Sequence, residues 1–280
     1  MIELEPLAGT APTDSTFLLV EYAGPWARNA VAESGLPDVV RAYLQALDGV
    51  RVQLIRRHGG AADGGVRIFA AHLGADETWI ETTVLDSHED LCSLDLTGLG
   101  AGQRPGLTPY TDHLWLVCTN GRRDLCCAKQ GRPVAGALAA EWPAQTWETN
   151  HLGGHRFAAT LLALPSGYCL GRLDEESAVT ACRALAEGTV DDAVTRGRAG
   201  QSAAAQVAEL AVRRESGCWA VDEVRVVAAD GGAVAVESAG QQWEVEVATR
   251  PGHSRRQSCA DLRTKPSPEL VVSAVRVPVG

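Results

Sequence analysis

Four side chains in the middle third of the sequence carry its most specific chemistry. Cys118 and Cys127 are separated by eight residues, and His151 and His155 by three. The histidine pair reads His-Leu-Gly-Gly-His, and its two glycines let the backbone turn tightly enough for both imidazoles to face one centre. Two soft thiolates and two imidazoles satisfy either a zinc ion or a [2Fe–2S] cluster. In a cluster, the thiolates sit on one iron and the imidazoles on the other, or each iron takes one of each; the spacing is compatible with both. The 23 residues between Cys127 and His151 argue against a small zinc finger. Cys126 competes with its neighbour, but adjacent thiols converge poorly on one metal, so Cys127 is the expected ligand and Cys126 is left beside the site. Cys92, Cys169, Cys182, Cys218 and Cys259 have no paired spacing and read as core or incidental thiols.

The elements that must position these residues read as an α/β fold. In the first third, "STFLLVEY", "VRVQLIRR", "VRIFAAHL" and "TWIETTVL" are strand-like, while "LPDVVRAYLQAL" has apolar residues at helical spacing. A second unit begins near Leu107. There "DHLWLVC" is a strand ending at Cys118, "TNGRRDLCC" a polar loop, and "RPVAGALAAEW" a helix with Pro133 in its first turn. The strand "QTWETN", the histidine loop and two further extended runs follow. The shared rhythm of the two units suggests a duplicated thioredoxin-like fold in which the second copy alone carries ligands. Two helices then lead to "VDEVRVVAA", "GAVAVESA" and "QWEVEVAT", whose alternation predicts an antiparallel meander, and to a turn-rich tail. The expected division is an N-terminal α/β unit over 1–106, a ligand-bearing unit over 107–200, and a helix, meander and tail over 201–280.

Composition sets the outer limits. With 280 residues, 45% hydrophobic and 21% charged, the chain can bury a large core without disulfides to staple it. Its start carries two glutamates and no basic cluster, unlike a signal peptide, and its apolar runs are far shorter than the ~20 residues of a membrane span. A cytoplasmic protein is expected, with no membrane partner, and in that compartment its eight cysteines read as thiols or ligands. The formal charge of −10 makes nucleic acid a poor partner. Between residues 118 and 156 the sign reverses locally: Arg122, Arg123, Lys129, Arg132 and Arg156 outnumber Asp124, Glu141 and Glu148. Such a face can steer an acidic redox partner.

The stretches "CTNGRRDLCC", "ETNHLGGHRFAATLLALPSG" and "RGRAG" resemble the sucrase/ferredoxin-like family, across roughly residues 17–206. That family includes thioredoxin-like ferredoxins with two Cys and two His ligands, and the motif positions fall on Cys118, Cys127, His151 and His155. The chain departs from the pattern at Asn120, where many members have histidine, and at Asn150; neither departure removes a ligand. The resemblance implies one-electron transfer through a [2Fe–2S] cluster, supplied by a separate redox partner or reductase. Two alternatives keep part of this chemistry: a zinc-stabilised interaction module, and a thiol-dependent oxidoreductase, which would lack the usual Cys-x-x-Cys pair. Sugar hydrolysis needs two opposed carboxyl groups. Asp86, Glu89, Asp90 and Asp95 supply carboxylates, but as an acidic loop.

Overall fold

The computed structural model describes residues 5–60, 64–75, 77–258 and 263–277. The first unit runs β1 (Thr16–Glu21), α1 (Asp38–Ala46), β2 (Arg51–Arg56), β3 (Val66–Leu73), β4 (Thr78–Leu85) and β5 (Thr108–Pro109). The second runs β6 (Leu114–Cys118), α2 (Leu125–Glu141), β7 (Thr146–Thr149), β8 (Leu161–Leu164), β9 (Tyr168–Leu170), α3 (Glu175–Ala186) and β10 (Thr195–Arg198). These strands form one ten-stranded sheet in the order β10-β9-β8-β6-β7-β2-β1-β3-β4-β5.

The two units repeat one local topology. In the first, β1 and β2 are parallel across α1, β3 adds antiparallel to β1, and β4 adds antiparallel to β3. In the second, β6 and β7 are parallel across α2, β8 adds antiparallel to β6, and β9 to β8. The halves meet where β2 pairs antiparallel with β7, matching Ile55 to Thr149 and Arg56 to Glu148.

Alternation along the strands explains how the sheet is packed on both faces. In β6, Trp115 and Val117 point to one face and pack with Val134, Ala135 and Leu138 of α2 and with Ala181, Cys182 and Leu185 of α3. Leu114, Leu116 and Cys118 point to the other face. There they join Phe17, Leu19, Ile55 and Phe69 from the first unit and Trp147 from β7 in a core that both halves share. Phe69 and Trp147 meet edge-on across it, with ring centroids 5.8 Å apart. A strand buried on both faces has to read as an unbroken apolar run, as "LWLVC" does. The first unit's outer face carries its own core, in which Val40 and Leu44 of α1 cover Leu18, Val20, Leu54 and Ile68.

Beyond the large sheet, α4 (Ala203–Ser216) is capped by Ser202, whose side chain accepts the Ala205 amide, and ends at Gly217 in the left-handed conformation. It packs on an antiparallel sheet of β11 (Val224–Asp230), β12 (Ala233–Ser238), β13 (Gln241–Arg250) and, after the hairpin of β14 (Ser254–Arg256) and β15 (Thr264–Pro266), β16 (Glu269–Arg276). The meander is therefore four-stranded, because the tail expected to be turn-rich returns as β16 along β13. A buried network ties α4 to the large sheet: Glu209 accepts from Arg198, Arg213 and Tyr168.

One sequence expectation is corrected within the second unit. Helix α2 begins at Leu125 rather than near Pro133, which lies inside it. The reason is Asp124, an N-cap whose carboxylate accepts the Cys126 amide at 3.2 Å. The cysteines assigned to a polar loop therefore occupy the helix's first turn.

Candidate metal centre

Parallel pairing of β6 with β7 sets Cys118 directly beside Thr149, so the chain leaving β7 reaches His151 two residues past the partner of Cys118. Helix α2 starts from the same end and presents Cys127 from its first turn. The site thus forms at the carboxyl ends of two parallel strands and at a helix N-terminus, where backbone amides favour anionic sulfur. One close approach fixes the helix against the strand: a Cβ added at Gly131 would lie 2.1 Å from the Cys118 carbonyl oxygen.

Cys118, Cys127 and His151 come together, their donor atoms all within 4.8 Å of one another, with both sulfurs buried and His151 half-buried. His155 lies beside this group rather than within it. Its Nδ1 is 3.5 Å from His151 Nε2, and its Nε2 is 3.7 Å from an Asp124 carboxylate oxygen. Three of the four expected ligands therefore converge, and the fourth adjoins them.

Electrostatics follow from burial and proximity. A hydrogen bond from Cys127 holds the Cys118 thiol well below the usual thiol range; the His151 ring and the Leu152 amide add to this, against burial. Cys127 moves the opposite way, because it donates that hydrogen bond and sits buried near the Cys118 and Asp124 charges. Burial, then the adjacent His151, keeps His155 more readily neutral than a free histidine, while Asp124 and the Gln257 backbone oppose this. Thiolate character at Cys118, with His155 favoured in its neutral form nearby, suits metal binding, which takes deprotonated sulfur and neutral imidazole. The decisive detail is His151 Nδ1, a buried nitrogen with no hydrogen-bond partner. A metal ion or an iron of a cluster would satisfy it, so the residues present fit such a group.

A model of the sucrase/ferredoxin-like family matches residues 7–197. The chain belongs to this family. The match ends within β10, so α4 and the four-stranded sheet lie beyond it. No curated protein and no solved structure matches the chain significantly.

Much of what holds this family site in place comes from residues far away in sequence. Arg51 of β2 donates to the His151 carbonyl at 3.0 Å and to Asp14, and Gln53 reaches the same carbonyl at 3.5 Å. Arg196, fully buried, donates to the Gly153 carbonyl and to both the carbonyl and the hydroxyl of Thr10. Gly154, at φ 71°, leaves no room for a side chain: its Cβ would fall 2.3 Å from Arg196 Nη2. The "RGRAG" stretch supplied the sequence signal for Arg196; nothing marked Arg51 or Gln53.

The remaining candidates are placed plainly. Cys126 is disulfide-bonded and so not available to replace Cys127. Cys92, Cys118, Cys127, Cys169, Cys182 and Cys218 are free thiols, and Cys259 lies outside the described residues. Asn120 holds the loop before α2, accepting the Arg122 and Arg123 amides and donating to the Ala27 carbonyl of the first unit. Arg156 is paired with Glu5. In the acidic loop, Asp90 accepts from Ser87 and Asp95 from Thr97, so these carboxylates cap local turns. Among the described residues no helix is long and apolar enough to cross a membrane.

Proposed function

We propose that the chain is a one-electron carrier whose [2Fe–2S] cluster is held by Cys118, Cys127, His151 and His155. The observation that carries this reading is the convergence of Cys118, Cys127 and His151, whose donor atoms lie within 4.8 Å of one another, with the His151 ring keeping one buried nitrogen unpartnered, in a chain of the sucrase/ferredoxin-like family. When bound, such a cluster accepts and returns a single electron, with a potential set by ligand charge, burial and hydrogen bonds. The protein's part is to prepare and hold the ligands. Cys118 is readied as thiolate by Cys127 and the Leu152 amide, the α2 N-terminus stabilises negative charge, and Arg51 and Arg196 fix the loop that carries both imidazoles. Neutral imidazoles in place of two thiolates make the site less negative, which eases reduction. His155 reaches the cluster in this reading by a rotation of its half-exposed ring away from Asp124.

On this reading the two repeated sheet units are thioredoxin-like, the first retained as a wall and the second as the ligand carrier. The protein works in the cytoplasm, and a separate reductase or redox partner supplies and takes the electron.

A second reading rests on the compactness of the group. Three donor atoms within 4.8 Å of one another suit one tetrahedral ion, with His155 completing a Cys2His2 zinc set and the function becoming structural. A thiol oxidoreductase is the weaker alternative, since the Cys118–Cys127 pair is buried.

Anaerobic purification followed by iron, sulfide and zinc quantification, with an ultraviolet–visible spectrum, separates these readings. The carrier is expected to be red-brown, to hold iron and sulfide in equal amounts, and to bleach on reduction. Cys127→Ser is expected to lose the metal, whereas Cys126→Ser retains it. A colourless protein with zinc and no sulfide would refute the electron-carrier assignment.

A further inference from the structure

Next to the ligand-bearing strand, residues from both halves of the sheet line an open pocket of about 380 Å³ to which none of the candidate ligands contributes. Its lining combines Arg56, Arg122 and Arg132 with Trp26 and Leu125, and includes no carboxylate residue. Arg56 is fixed in place, stacked 4.1 Å over the Trp26 ring and bonded through two nitrogens to Glu148, whose charge it offsets. Arg122 and Arg132 differ: both are exposed, and neither has an ion-pair or side-chain hydrogen-bond partner among the described residues. Leu125 projects from the same rim with 68% of its surface exposed. In a chain of net charge −10, this leaves an uncompensated cationic patch with an apolar edge.

The position matters as much as the charge. Thr119 and Asn120 in the pocket wall directly follow Cys118, and Leu125 and Ala128 flank Cys127 in sequence. The histidine edge, by contrast, is approached by the chain's own C-terminal segment, where Gln257 bonds to His155 and Ser258 to Asp124. We propose that the Arg122–Arg132 pocket is the docking surface for an acidic segment of the redox partner, with carboxylates meeting the two free guanidinium groups and an apolar side chain meeting Leu125. This inference rests on the electron-carrier reading for the partner's role, whereas the recognition of acidic peptide rests on the pocket alone. The open shape and the exposed leucine favour a protein segment over a small anion, and opposite charge at the rim speeds encounter.

Two measurements test it. Fluorescein-labelled hexaglutamate is titrated at low ionic strength against wild type, Arg122→Glu/Arg132→Glu, and the control Arg225→Glu/Arg276→Glu, which makes the same charge change on the C-terminal sheet. Binding that weakens with salt, falls at least about tenfold in the pocket variant and changes little in the control supports the proposal. Equal losses in both variants, or displacement of the peptide by inorganic phosphate at lower concentration than by unlabelled hexaglutamate, overturn it. Stopped-flow oxidation of the reduced, iron-loaded protein by ferricyanide and by hexaamminecobalt reads the redox role. The pocket variant should be slower with the anionic oxidant and faster with the cationic one, relative to the control; unchanged ratios overturn the docking role. If the protein carries no iron, the electron-carrier reading falls while the peptide titration still decides whether the pocket takes acidic chains.

Discussion

Replacing Gly131 by alanine probes the contact that aligns helix α2 with strand β6. The new Cβ would sit 2.1 Å from the Cys118 carbonyl oxygen and 3.2 Å from its carbon. A carbon–oxygen contact relaxes at ~3.3–3.6 Å, so the helix has to move outward by roughly 1.2–1.5 Å. Both obstructing atoms are backbone within a central strand, bonded on one side to β7 and on the other to β8, so the strand cannot yield. Overpacking of this kind costs ~1–3 kcal/mol, and alanine's better helix propensity returns up to about 1 kcal/mol. A net loss of about 1–2 kcal/mol is expected in urea denaturation of the metal-free protein. Gly136, in the same helix, supplies the contrast: its added Cβ meets only the His58 side-chain ring, at 3.2 Å, which has to give by a few tenths of an ångström rather than more than one. Gly136→Ala should therefore be neutral or stabilising by up to about 1 kcal/mol. Since Cys127 rides on the displaced helix and Cys118 on the fixed strand, Gly131→Ala should also lower metal retention, and Gly136→Ala should not. Equal stability of the two variants would refute the close-approach argument.

Further outcomes follow from the buried charges and from the loop anchors. Glu148 and Glu209 are both buried, which raises a carboxyl pKa, yet hydrogen bonds and charges from Thr119, Arg56 and His58, and from Arg198 and Arg213, hold them below the usual carboxylate value. A depressed folded pKa gives stability that is complete above the unfolded value of about 4.3 and is lost as pH falls through the folded value. Urea midpoints should therefore drop on acidification below about pH 4, with a shallower acid limb in Glu148→Gln, as equilibrium denaturation across pH would show. Removing Glu209 outright leaves Arg213 buried without its carboxylate, so Glu209→Ala should cost about 3–5 kcal/mol in the same assay. Arg51→Ala frees the His151 carbonyl without touching a ligand atom, and loss of such an outer partner typically weakens metal binding about 10–100-fold. Chelator competition should show faster metal loss with little change in apo-protein stability.

The sequence revealed residues more readily than their supports. The four ligand candidates stand out by their paired, compact spacing, and "DHLWLVC" reads as a strand ending at Cys118, which the structure shows buried on both faces. Proline and alanine point to a helix from Arg132, but Asp124 caps it eight residues before that, so α2 starts at Leu125. Strand β10 escaped notice for the opposite reason. "TRGR" is polar by composition, but Arg196 is buried and Arg198 half-buried, with their guanidinium groups bonded inside the protein. Such strands violate alternation because hydrogen bonds, not hydrophobicity, justify their burial. Likewise, the Arg51–His151 contact spans 100 residues of sequence, and no local pattern encodes it.

The ligand-free first unit is best understood through that contact. A βαβ pair such as β6-α2-β7 can bring two cysteines and a histidine to one end, but the loop after β7 carries two glycines at positive φ and cannot hold its own shape. Rigidity has to be imported. From the first unit, Arg51 and Gln53 grip the His151 carbonyl, while Gln53 also accepts from Thr149. From the other side, Arg196 grips Gly153 and Thr10. The seam between β2 and β7 then does two things at once. It completes the hydrophobic core through Phe69 and Trp147, and it clamps the glycine-bearing loop that carries the candidate histidines. The first unit contributes no ligand candidate, yet the site depends on it because it carries the clamp. The family match, over residues 7–197, takes in both units and so includes the clamp with the candidate ligands.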